Sequence, residues 1–186
     1  MKPLLLLIIV LLATASHPAA AQNQPQLTLA IIPTSYSDVL SPDPSIVFDY
    51  TDHFHVLLTN NSEKPIVLFE EWNSWGYFGL SFDITYSDGR KVHSTKFSSG
   101  WDKNAASTVT IAPHGFYIFN VTFSKKEDLN HHRFWINSLF DEKGLDKGLK
   151  CRIRAVYSIE NSPEAQREHA WIGTVTSEEN NYTLWR

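Results

Sequence analysis

Two histidines one residue apart, His53 and His55, come nearest in type and spacing to a metal site. On a strand, positions i and i+2 share a face, so two imidazoles there could reach one ion. A third ligand would be needed, and His93 or His114 supplies it only if the sheet brings one of them close. The alternative is an exposed surface pair, since both fall opposite the apolar Phe54, Val56 and Leu58. His131 and His132 are adjacent, so their side chains diverge on a strand or a helix. No methionine remains after Met1, which excludes the usual blue-copper ligand set.

Cys151 is the one thiol. It alternates with Ile153, Ala155 and Tyr157, which places it on a core face, where a thiol packs as a small hydrophobe. The chain has no G-x-S-x-G, H-E-x-x-H or C-x-x-C motif, no phosphate-binding glycine loop and no calcium loop. A non-catalytic protein without a cofactor is the expectation.

The aromatic run Trp72-Asn73-Ser74-Trp75-Gly76-Tyr77 lies between two strand patterns, where a loop is expected. Trp101 follows Ser98-Ser99-Gly100 in a second polar loop. Exposed tryptophans stack on sugars or anchor protein partners. Trp72, Trp75, Tyr77 and Trp101 are therefore the candidate binding residues, and the competing expectation is that their rings fold back as plugs over the end of the domain.

The elements that must position these residues follow a period of two. Leu27, Leu29 and Ile31 share a face, as do Phe54, Val56 and Leu58. Phe78, Leu80, Phe82, Ile84 and Tyr86 form the longest alternation, predicting a half-buried strand. Tyr117, Phe119, Val121 and Phe123 repeat it, as do Trp171, Gly173 and Val175, and Tyr182 with Leu184 close the chain. Asn60-Asn61-Ser62, Asp88-Gly89 and Pro113-His114-Gly115 punctuate these runs, and Asp-Gly between alternating strands signals a hairpin. Residues 128–148 form one long irregular insertion, and Ser162-Pro163-Glu164 reads as a helix start, with a cap, a first-turn proline and an acid at the positive end. The fold class expected is all-β, an immunoglobulin-like antiparallel sandwich with one insertion and a short helix before the last strands.

Residues 1–21 carry Lys2, an aliphatic run over 4–12 and an Ala19-Ala20-Ala21 end. This is the pattern of a secretory signal peptide cut after Ala21, with 22–26 a polar linker and 27–186 one domain. The export product would hold 15 basic against 20 acidic side chains, a charge of −5 that argues against nucleic acid as partner. No later apolar run is long enough for a spanning helix, so no membrane insertion is expected. Sequons at Asn60, Asn120 and Asn181 read as chance in a chain whose leader fits a bacterium.

The stretch from Leu58 through Asn60-Asn61-Ser62 to Pro65-Ile66, the Phe82-to-Gly89 segment and Thr110-Ile-Ala-Pro-His-Gly115 resemble the strands and turns of exported bacterial immunoglobulin-like domains of unassigned role. The intracellular proteinase-inhibitor domain of bacilli is similar in layout. The segment from Arg154 to Tyr157 and the run Trp171 to Ser177 resemble the closing strands of such sandwiches. The resemblance covers most of residues 54–184 and implies the fold without functional residues. The function expected is an exported non-catalytic binding or accessory module of the cell envelope, soluble after cleavage, contacting an envelope protein or glycan through end loops. The alternatives are an exported metal-binding protein using His53 and His55, or a proteinase inhibitor.

Overall fold

The computed structural model describes residues 26–35, 43–47, 53–96, 104–123, 135–136 and 145–185. The expected signal segment, Trp101, His131, His132 and most of the 128–148 insertion lie outside the described residues. In chain order the strands are β1 (Leu27–Ile32), β2 (Ser45–Val47), β3 (Phe54–Asn60), β4 (Ile66–Phe69), β5 (Leu80–Tyr86), β6 (Lys91–Lys96), β7 (Thr108–Ile111), β8 (Phe116–Val121), β9 (Trp135–Ile136), β10 (Leu149–Ile159), β11 (Gly173–Thr176) and β12 (Asn180–Trp185). Two short helices, α1 (Ser74–Tyr77) and α2 (Pro163–Arg167), interrupt them.

One layer has the order β1-β3-β8, and the β4–β7 pair extends it, since β3 and β4 run alongside β8 and β7. Asn60 makes the joint. It is fully buried, and its side-chain amide donates to the carbonyls of Lys64 at 2.7 Å, Ala112 at 3.0 Å and Ile111 at 3.3 Å. A buried amide left unbonded is costly, so these bonds tie the turn after β3 to the end of β7. The other layer runs β2-β12-β10-β5-β6-β9, with β11 also on β10. β12 and β2 are parallel and its other pairings are antiparallel.

The layers meet through the alternating residues the sequence marked. Phe54 of β3 lies 5.6 Å from the Phe82 ring of β5, and Phe119 of β8 lies 5.4 Å from Tyr157 of β10. Phe123 packs edge-on against both Phe54 and Phe82. Each large side chain so buried contributes on the order of 1.5–3 kcal/mol. The all-β sandwich expectation therefore holds, and so does the core placement of Cys151.

Two details differ from the alternation pattern. β5 is not half-buried, because the outward Ser81 and Thr85 are also buried. They are short side chains on a strand flanked by β10 and β6, and Thr85 donates to Glu179. Phe78 is not part of that strand's core face; it caps α1 and is exposed. The helix start at Ser162 is as expected: its hydroxyl accepts from the Ala165 amide, with Pro163 in the first turn.

Candidate functional site

The aromatic run forms an ordered corner between β4 and β5. Asn73 caps α1, accepting from the Gly76 amide at 3.0 Å and donating to the Ser107 carbonyl at 3.0 Å. Gly76 is required there, because a β-carbon would sit 2.3 Å from the Glu70 carbonyl oxygen. Asn104 ties the corner to the segment before β7, accepting from the Ser74 amide and donating to its hydroxyl. Local capping and a close backbone approach therefore hold the loop before any side chain acts.

This scaffold separates the candidate aromatics. Trp75 stacks on Phe69 at 6.0 Å and is partly buried against the core. Tyr77 is buried, with the Lys96 ammonium 5.0 Å over its ring. The one-turn helix directs both rings inward, Tyr77 fully and Trp75 in part. Trp72 is 53% exposed. Its indole N–H donates to Glu70 Oε2 at 2.8 Å, and the Ser107 hydroxyl donates to the same oxygen. These two bonds, from Ser107 and then Trp72, hold the Glu70 carboxyl below its usual range. The Trp72 indole N–H is thus already engaged by Glu70.

The residue before Trp72, Glu71, forms a polar clasp between the layers. Lys96, at the end of β6, is only 7% exposed, and its ammonium meets Glu71 Oε2 at 2.7 Å. Tyr117 of β8 donates to the other Glu71 oxygen at 3.3 Å. Burial and the Glu71 charge push the Tyr117 hydroxyl up to about 12. The Tyr157 hydroxyl, buried without a hydrogen-bond partner among the described residues, is also pushed up, chiefly by burial. Glu71 thus joins one strand of each layer. The sequence reading missed Glu70, Glu71 and Lys96. The signal available was two acids directly before Trp72, but their partners depend on the β5–β6 and β3–β8 registers.

The histidine candidates do not converge with His93 or His114. His53 and His55 sit beside β8, with their Nδ1 atoms on the Thr122 hydroxyl and, at 2.9 Å, on Asn120 Oδ1. His93 lies on the outer face of the other layer, bonded to Asp83 at 2.8 Å. His114, in the β7–β8 turn, bonds Glu63 at 3.0 Å. Among the described residues no three His, Cys, Asp or Glu side chains are grouped to hold a metal. Cys151 is buried and desolvation pushes its thiol up to about 12, so little thiolate forms near neutrality. No described helix is long and apolar enough to cross a membrane.

No protein-family model, curated protein or solved structure matches this chain.

Proposed function

We propose that this chain is an exported, non-catalytic binding or accessory module of the cell envelope, with Trp72 as the anchor of its contact surface. The observation that supports this is an exposed indole on a corner braced by Asn73, Gly76 and Asn104. A preordered aromatic loses little conformational freedom on binding, which favours affinity per unit area. Because Glu70 engages the indole N–H, the ring contributes stacking area, which suits the C–H face of a sugar or an apolar side chain. The leader over residues 1–21 supports export, and the resemblance to exported immunoglobulin-like domains supports an envelope role. The metal-binding alternative has two histidines and no third described ligand, and the inhibitor alternative rests on resemblance alone.

The test is capture by immobilised protein from a panel of envelope glycans and an envelope extract, with wild type and Trp72→Ala side by side. The proposal predicts a ligand retained by wild type and lost by Trp72→Ala. Equal retention by both proteins would remove Trp72 from the contact.

A further inference from the structure

The two acids before Trp72 differ in how the fold treats their charge. Glu71 is matched by the Lys96 ammonium at 2.7 Å, whereas among the described residues no lysine, arginine or histidine pairs with Glu70. Both donors to Glu70, the Trp72 indole N–H and the Ser107 hydroxyl, meet the same oxygen, Oε2. They fix the side chain and hold it ionised, while Oε1 keeps its capacity to accept. An indole N–H donates in the plane of its ring, so the carboxylate lies at the edge of Trp72 and not over its face. An exposed indole thus stands beside a fixed negative charge that the fold leaves unmatched.

We propose that Trp72 and Glu70 together seat the arginine side chain of a partner protein, a proposal that rests on Trp72 being the contact anchor. The ring alone suits a sugar, an apolar side chain or a cation, and the carboxylate separates them. An apolar group set on the ring would strip water from the carboxylate and return nothing. A sugar hydroxyl can donate to Oε1 but brings no charge, and an anion is repelled. A cation answers both groups. The ring face attracts it within about 6 Å of the ring centre, and the carboxylate attracts it again at the ring's edge. A guanidinium does more than an ammonium, because it is planar. It stacks on the indole, and N–H groups at its rim reach toward Oε1 in the same pose. The net negative charge of the chain draws such a partner in from a distance.

NMR titration of the isotope-labelled protein tests this, read at the Trp72 indole N–H and assigned by its loss in Trp72→Ala. The probes are N-acetyl-arginine amide, its neutral isostere N-acetyl-citrulline amide, and methyl glucoside. The arginine amide should shift the resonance saturably, and the citrulline amide should bind at least about fivefold more weakly. Raising salt from about 20 mM to about 200 mM should weaken the arginine complex. Glu70→Gln, whose amide oxygen still accepts from Trp72 and Ser107, should lose at least about fivefold in arginine affinity. Should that variant unfold, the ratio of the two amides in wild type and its salt dependence decide the matter. Equal binding of the two amides, or unchanged arginine affinity in a folded Glu70→Gln protein, overturns the proposal and leaves Trp72 as an anchor. A saturable response to methyl glucoside alone overturns it in favour of a sugar. A resonance that no probe moves also overturns it, and capture by Trp72→Ala then shows whether the anchor falls with it.

Discussion

Replacing Glu71 with Leu should destabilise the domain by about 2 kcal/mol, and a second change at its partner should add nothing to that loss and recover up to about half of it. Lys96 Nζ sits 2.7 Å from Glu71 in a side chain only 7% exposed, so removing the carboxylate takes a close counter-charge from an ammonium held largely out of water. Breaking a buried pair from one side costs roughly 3–5 kcal/mol. The Glu71 side chain is 28% exposed and Lys96 keeps the Tyr77 ring, so water screening and the ring reduce the cost to about 2 kcal/mol. For a domain of this size that is a fall of about 4–8 °C in melting temperature. Lys96→Met alone should cost less, about 1 kcal/mol, because the partly exposed Glu71 can rehydrate and still accept from Tyr117. In Glu71→Leu/Lys96→Met neither charge remains, so the double variant should be more stable than the sum of the singles by about 1–2 kcal/mol. Urea denaturation of the four proteins gives the coupling directly. A coupling below about 0.3 kcal/mol would refute the claim that this pair clasps the layers.

Other outcomes follow from the same geometry. Gly76→Ala should lower stability by about 2–4 kcal/mol by thermal denaturation, because its β-carbon would meet the Glu70 carbonyl oxygen at 2.3 Å and backbone must move. Folded Cys151 should react with iodoacetamide at pH 8 at least 100-fold more slowly than an unfolded control, given a thiol pushed up to about 12 and buried. Tyr117 and Cys151 both have folded values raised to about 12, so the stability they contribute is full below their ordinary values of 10.0 and 9.0. That stability should drain away as pH rises from about 9 to about 12, and Tyr117→Phe should flatten the upper part of the decline in a pH series of urea midpoints.

Much of the fold was legible because burial imposes a period of two on a strand with one wet face. Phe54, Val56 and Leu58, and Cys151 to Tyr157, declare their faces in this way. Ser162 and Pro163 declare α2 because capping is local chemistry. β5 misled because a central strand with short outward side chains is buried on both faces. In β8, Phe116 and Ile118 alternate with the core residues Phe119 and Val121, so the run is apolar on both faces. The aromatic run was recognisable as a loop, but which ring faces water depends on the Gly76 approach to Glu70 and on Asn73 reaching Ser107. The Glu71–Lys96–Tyr117 clasp joins residues brought together by two separate strand registers, which no local pattern encodes.

The most direct test of the binding account sets affinity beside stability for Trp72→Ala and Trp75→Ala, using the ligand that wild type captures. Trp72→Ala should lose at least about tenfold in affinity while its melting temperature moves by less than about 2 °C, because an exposed anchor carries binding energy and little core. Trp75→Ala should instead lower the melting temperature clearly, through its lost stacking on Phe69. Undiminished affinity in a folded Trp72→Ala protein would contradict the account.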